Sequence, residues 1–90
     1  MGVIKTYKKT ATIDAIKWEC TWSSTDQIGV WAAAWGVEIE LVKDGDSWKL
    51  RIPTLEGPMF ASPGDFIAKG INNEFWAIKP EIMEKTYQEV

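Results

Sequence analysis

Residues 37–52 alternate between apolar and charged side chains on both sides of an Asp44-Gly45 step. Successive side chains of a β-strand point to opposite faces, so this alternation predicts two half-buried strands. The Asp-Gly step supplies the positive φ that a tight hairpin turn requires. The segment therefore predicts an antiparallel hairpin over 37–42 and 48–52. Its inward-facing residues would be Val37, Ile39, Leu41, Trp48, Leu50 and Ile52.

Four other segments have strand-like sequences. Residues 9–18 are rich in β-branched side chains, and residues 58–62 follow a Pro-terminated strand. Residues 66–69 and 75–78 are short apolar runs, preceded respectively by Pro63-Gly64-Asp65 and by a turn that contains Asn72-Asn73. Together with the hairpin, these segments predict about six strands.

The clearest helix spans about residues 24–35. Ser24 and Gln27 have the spacing of a capping box, in which each side chain satisfies a backbone donor at the helix start. Apolar residues at helical spacing predict one buried stripe, and Gly36 follows where a left-handed C-terminal residue is needed. The residues of that stripe are Ile28, Trp31, Ala32 and Trp35.

A short C-terminal helix is predicted over about residues 80–87, with Pro80 as its first residue. Hairpin connections dominate, and only one helix is long enough to connect parallel strands. We therefore predict an α+β fold in which a small antiparallel β meander or barrel-like roll packs with one amphipathic helix. Residues 1–90 form a single domain without a linker in this interpretation.

Composition excludes several classes of function. The chain has no histidine, so a Ser-His-Asp or Cys-His catalytic site cannot form within it. Its single cysteine, Cys20, excludes an internal disulfide and leaves no convincing set of metal ligands. The carboxylates are scattered rather than spaced as a pair. We therefore expect no enzymatic activity, no catalytic residues, no metal and no cofactor.

Charge and hydropathy limit the classes of partner that we expect for this chain. The net charge is −3, so no basic excess is present for binding a phosphate backbone, and nucleic acid is not an expected partner. No apolar run approaches the roughly 20 residues that span a bilayer, and the N-terminus lacks the apolar segment of a signal peptide. We expect no membrane association.

Six tryptophans in 90 residues are open to two interpretations. Buried indoles would supply much of the core of so small a domain. Exposed indoles would instead form a partner-binding surface, because Trp is enriched at interface hot spots. On the second interpretation, the predicted helix and the residues just before it present a cluster to another protein or to another copy of the chain, which consists of Trp22, Trp31 and Trp35.

A second candidate site lies in the C-terminal third. The backbone amides around Asp65 could hold a small anion, and Trp76 with Lys79 could stack and pair with a nucleotide. Asn72 and Asn73 lie in the adjoining turn. The alternative is that these residues serve only turn geometry and core packing.

Several segments of the chain together form a distinctive pattern, which consists of Thr54-Leu55-Glu56-Gly57, Ala61-Ser62-Pro63-Gly64-Asp65-Phe66-Ile67, Lys69-Gly70, Glu74-Phe75 and Lys79-Pro80-Glu81-Ile82, with Glu84, Thr86-Tyr87 and Val90. This pattern resembles that of a widespread group of small phage and prophage proteins. Tyr7-Lys8-Lys9 and Ala15-Ile16-Lys17-Trp18 are similar to the opening of the same group. The similarity covers about half of the chain and departs from the group's pattern at Phe66, Asn73, Trp76-Ala77-Ile78 and Met83.

The resemblance implies a phage accessory protein in the host cytoplasm and supplies no catalytic residues. Such a protein would act by stoichiometric binding, as an inhibitor or modulator of a host or defence-system protein. Two alternatives stay open: a small-ligand or nucleotide-sequestering protein, and a minor virion or assembly component. Self-association into a homo-oligomer is compatible with all three.

Overall fold

The computed structural model describes residues 4–6 and 12–90, which contain six strands and two helices. In chain order they are β1 (Asp14–Lys17), α1 (Trp22–Ala34), β2 (Glu40–Asp44), β3 (Ser47–Ile52), β4 (Met59–Ala61), β5 (Phe66–Lys69), β6 (Phe75–Ile78) and α2 (Pro80–Thr86). The predicted bounds of β5 and β6 agree with the structure.

The six strands form two separate antiparallel sheets of three strands each. One sheet has the order β1-β5-β6 and the other β2-β3-β4. The α+β prediction is confirmed, but the barrel-like closure is wrong. Residues 62–65 turn the chain away from β4, and β5 pairs with β1 and β6 on its two edges, so the two sheets do not join into one.

The strand register decides which side chains face the core. Leu41 pairs with Leu50, and Ile16 pairs with Ile67, so each pair lies on one face of its sheet. The inward faces of both sheets and the buried side of α1 then share one hydrophobic core. Its fully buried members are Trp18, Ile28, Ala32, Leu50, Ile52, Ala61, Ile67 and Phe75.

Helix α1 begins earlier than predicted and with a different cap. Thr21 is the N-cap: its hydroxyl accepts from the Ser24 backbone N–H at 3.1 Å, and the Ser24 hydroxyl accepts in return from the Thr21 N–H at 3.3 Å. The Ser24–Gln27 capping box is therefore wrong, and Asp26 lies beyond the first turn. A serine at the third helical position closes the box because its hydroxyl reaches back as a Glu or Gln side chain would.

The C-terminus of α1 confirms the predicted glycine cap. Gly36 has φ of 77°, and its N–H donates to the carbonyl of Ala33 at 3.0 Å. The Val37 N–H donates to the carbonyl of Ala32, also at 3.0 Å. These two bonds form a Schellman motif, which satisfies carbonyls that have no partner within the helix.

Three predicted strands are longer than those observed, and the third is β4, which spans Met59–Ala61 rather than residues 58–62. Strand β1 begins at Asp14, and residues 9–11 of the prediction lie outside the described residues. Strand β2 begins at Glu40 rather than at residue 37, because the Val37 N–H completes the helix cap. Val37 and Ile39 still pack against the core as irregular chain.

Helix α2 begins at Pro80, as predicted, and none of its residues is fully buried. Its N-terminal turn is held by the Met83 N–H, which donates to the Lys79 carbonyl at 2.9 Å. Ile82 is half exposed rather than turned fully into the core. No helix within the described ranges is long and apolar enough to cross a membrane.

Candidate functional site

The tryptophans divide into buried and exposed groups, and the exposed group defines the candidate site. Trp18 is the one tryptophan of the six that is fully buried, and Trp31 is partly buried and packs against the core, so the core interpretation holds for these two. Trp22 is 83% exposed, Trp35 50% and Trp48 43%. Burial of large aromatic side chains is a main source of stability in a domain of this size. An exposed indole does not contribute that burial free energy to folding.

Two of the exposed indoles line one apolar cleft, which we call the tryptophan cleft. It encloses about 410 Å³ and lies between the start of α1 and the β2–β3 hairpin. Its lining residues are Cys20, Thr21, Trp22, Thr25, Leu41 and Trp48. No charged side chain is among them, and both Trp side chains also face solvent.

The loop at one edge of the cleft has a specific local geometry. Cys20 has φ of 58°, in the left-handed region that non-glycine residues rarely occupy. This conformation lets the N–H groups of Glu19 and Thr21 both donate to the hydroxyl of Ser24, at 3.2 and 3.3 Å. The loop is therefore tied to the first turn of α1, which places Trp22 beside the cleft.

The cleft is connected directly to the core by Trp18. The indole Nε1 of Trp18 donates to the hydroxyl of Thr25 at 2.8 Å. The backbone of Trp18 extends the β1–β5 pairing: its N–H donates to the Asp65 carbonyl at 2.9 Å and its carbonyl accepts from the Gly64 N–H at 2.7 Å. The Pro63-Gly64-Asp65 turn thus holds the backbone of Trp18, and the Trp18 indole in turn positions Thr25 in the cleft.

The hairpin supplies the other part of the lining. Trp48 pairs with Lys43 and Leu50 with Leu41, so all four residues lie on the inward face of their sheet. Leu50 is buried in the core, whereas Trp48 lies next to the turn and remains partly exposed. The Lys43 Nζ lies 5.4 Å from the centroid of the Trp48 ring, in the range of a cation–π contact.

The three tryptophans predicted to form one interface, Trp22, Trp31 and Trp35, do not lie on one surface. Trp31 packs edge-on against Phe75, with ring centroids 5.1 Å apart, and is half buried at the border of the core. Trp35 follows the helix, where the Lys69 Nζ lies 4.1 Å from its ring centroid. Trp22 lies at the opposite end of α1, about 20 Å away at 1.5 Å per residue. Of the three, the tryptophan cleft includes only Trp22.

The structure brings Asp65 and Lys79 into contact, and their ion pair stabilises the turn at residues 62–65. Asp65 is only 3% exposed, and its carboxylate accepts from the Ser62 N–H at 2.9 Å and from the Lys79 Nζ at 3.1 Å. The Asp65 N–H donates to the Ser62 carbonyl, and the Gly64 N–H donates to Trp18. The amides of this turn are thus engaged within the protein, and the proposed anion would have to displace these bonds.

Trp76 and Lys79 line a second, more open cavity of about 320 Å³ beneath α2. Its other lining residues are Ala77, Ile78, Ile82, Thr86 and Tyr87. Asn72 and Asn73 are exposed in the β5–β6 turn and do not line it; Asn73 has φ of 62°, as its predicted turn role requires. The C-terminal candidate residues therefore do not form one site. Asp65 stabilises its own turn, Asn72 and Asn73 lie in the β5–β6 turn, and Trp76 and Lys79 line this cavity.

Sequence reasoning missed Trp48, Leu41 and Cys20 as residues of a site. A signal was present for Trp48: it is the first inward-facing residue after the hairpin turn, at the end of its strand. Comparisons of the chain with protein-family models, curated proteins and solved structures found no match.

Proposed function

We propose that this chain is a non-enzymatic protein-binding domain and that the tryptophan cleft is its binding surface. The observation that carries the proposal is the exposure of Trp22 and Trp48 at the same apolar cleft. Interface hot spots are enriched in Trp and lie in pockets that become desolvated on binding. The absence of histidine from the whole chain supports binding rather than acid–base catalysis.

Burial of the exposed indoles by a partner would contribute substantially to the free energy of binding. Burial of the Trp22 side chain would remove on the order of 150 Å² from water, which is worth about 4 kcal/mol at ~25 cal/mol per Å². Association costs at least as much in lost translational and rotational freedom. Trp22 alone is therefore insufficient, and a partner must cover Trp48 and Leu41 as well.

The cellular setting of the proposal comes from the sequence resemblance. In a phage accessory protein, the partner of the cleft would be a host or defence-system protein, and binding would inhibit or modulate it in the host cytoplasm. This function is favoured over sequestration of a small anion, because the turn amides around Asp65 already have partners within the protein.

The test is retention of bacterial proteins on the immobilised chain. The comparison uses wild type, a Trp22→Ala, Trp48→Ala double variant and Trp35→Ala, whose indole is exposed outside the cleft. We expect a protein that wild type and Trp35→Ala retain and the double variant loses. Thermal melting of each variant confirms that the chain is folded.

Two results would contradict the proposal. If no protein is lost with the cleft tryptophans, the cleft is not the binding surface. If the native mass of the purified chain is that of a dimer, and the double variant is a monomer, the cleft joins two copies instead of holding a host protein.

A further inference from the structure

Negative charge is concentrated in one part of the chain, and that part also contains the residues of the tryptophan cleft. Residues 19–48 contain six acidic side chains and one lysine, a net charge of −5, although the whole chain carries only −3. The remaining residues are therefore net positive by 2. Every residue that lines the cleft belongs to the acidic segment 19–48.

Two acidic residues are neighbours of the cleft lining in the chain, and the Lys43 ammonium over the Trp48 ring is the cation recorded at the cleft. Glu19 precedes Cys20 and Asp46 lies two residues before Trp48, and both side chains are exposed, whereas Asp26 lines a separate hollow with Gln27. Between described residues the structure contains one ion pair, Lys79 with Asp65, and it involves none of these acids. An apolar cleft with an acidic border attracts cations and repels phosphate.

From this arrangement we infer that the partner of the cleft is a basic protein segment. It would place apolar side chains between Trp22 and Trp48 and set arginine or lysine side chains against the indole faces and the acidic border. The inference rests on the proposed function and specifies the chemistry of the partner. Cation–π contact and opposite charge would then act together at one site.

The protein itself contains the type of contact that the inference requires. The Lys43 ammonium lies over the Trp48 ring at 5.4 Å, and the Lys69 ammonium over the Trp35 ring at 4.1 Å. Both tryptophans are partly exposed, so these contacts form at the solvent boundary, where a partner would approach. Arginine is the commoner partner of Trp in such contacts, because its planar group also stacks on the ring.

The test uses three fluorescein-labelled nine-residue peptides that differ only in charge. One alternates leucine with arginine, and the matched peptides have glutamine or glutamate at every arginine position. Fluorescence anisotropy in about 50 mM salt is expected to show the arginine peptide binding on the order of tenfold more tightly than the glutamine peptide. The glutamate peptide should bind least, and the gap should narrow at about 500 mM salt because of screening.

Variants at and away from the cleft distinguish binding at the cleft from non-specific attraction of a basic peptide to an acidic protein. Binding of the arginine peptide should be lost in the Trp22→Ala, Trp48→Ala double variant and kept in Trp35→Ala. It should also slow alkylation of Cys20, which is the only thiol and is exposed in the cleft. Glu19→Gln with Asp46→Asn should weaken the arginine peptide but not the glutamine peptide, whereas Glu84→Gln on α2 should change neither.

Equal affinity of the arginine and glutamine peptides would overturn the inference, as would arginine binding that survives loss of both cleft tryptophans. The two proposals fail separately. A bacterial protein that depends on Trp22 and Trp48 but presents a neutral or acidic segment would preserve the binding function and remove the basic partner.

Discussion

Trp18 and Thr25 are joined by a 2.8 Å hydrogen bond from the indole Nε1 to the threonine hydroxyl. Trp18 is fully buried in the core, and Thr25 lines the tryptophan cleft. One bond therefore couples the packing of the core to the position of the first turns of α1. Changes in the cleft at Thr25 should be measurable as changes in stability.

Replacement of Thr25 by valine tests this coupling. The substitution keeps the side-chain shape but leaves the Trp18 indole N–H without its acceptor, which should cost about 1–2 kcal/mol. In a domain of this size the melting temperature should fall by roughly 5–15 °C. Thr25→Ser keeps the hydroxyl and is the control. If both variants melt alike, the hydrogen bond contributes nothing measurable.

The buried Asp65 carboxylate is expected to contribute more to stability than the exposed Lys79 side chain that it binds. Asp65→Ala leaves the Ser62 N–H and the Lys79 ammonium without their acceptor, at a cost of about 2–3 kcal/mol. Lys79 is more than half exposed, so Lys79→Ala should cost under about 1 kcal/mol. Urea denaturation of both variants measures the difference. Equal losses would mean that the ion pair, and not the amide contact, holds the turn.

The left-handed backbone of Cys20 makes an unusual prediction: a glycine there should stabilise the protein. Cys20→Gly removes the steric cost of φ at 58°, and the gain should be about 1 kcal/mol, reduced by the greater freedom of glycine in the unfolded chain. Cys20→Ala retains the strained backbone and lacks the thiol, so it should be as stable as wild type. Thermal melting of the two variants distinguishes backbone strain from any role of the thiol.

Exposure predicts opposite outcomes for two tryptophans that are four residues apart. Trp18→Ala should destabilise the domain by about 3–5 kcal/mol, because it empties a fully buried site. Trp22→Ala should change stability by no more than about 0.5 kcal/mol, because its side chain is mostly in solvent. Chemical denaturation followed by circular dichroism measures both. A large loss in Trp22→Ala would show that its indole serves folding instead of binding.

Lys43 is expected to compete with a basic partner for the Trp48 ring. Lys43→Gln removes the ammonium that lies 5.4 Å from the ring and makes the surroundings of the cleft more negative. The affinity for the arginine peptide should rise by about two- to fivefold. Lys85→Gln on α2 changes the net charge equally and is the control. An equal rise in both variants would attribute the effect to net charge alone.

Local sequence signals predicted the elements better than their arrangement. Asp44-Gly45, Gly36 and Pro80 each occupy the turn, cap or helix start that their chemistry predicts, because these preferences depend on a few neighbouring residues. The start of α1 was misplaced because Ser24 is compatible with two roles. It can be an N-cap, or it can close a box whose N-cap is Thr21.

The candidate site could be predicted only in part. Trp22 was predicted as an interface residue, but the residues across the cleft, Leu41 and Trp48, come from a hairpin that lies 19 or more residues further along the chain. Asp65 and Lys79 were grouped correctly in space, yet their turn-locking contact depends on β5 and β6 being paired. Spacing along one strand or helix carries no information about such contacts.

The sequence alone determined the hairpin, the helix and its glycine cap, the exclusion of histidine-dependent catalysis and the acidic character of residues 19–48. These follow from composition and from interactions within about one turn or one strand. Only the tertiary structure decided that the strands form two sheets, that Trp18 is buried while Trp22 and Trp48 share a cleft, and that the turn at Asp65 supports Trp18. The physical reason is that an indole is equally suited to a core and to an interface, and only its packing neighbours determine which role it takes.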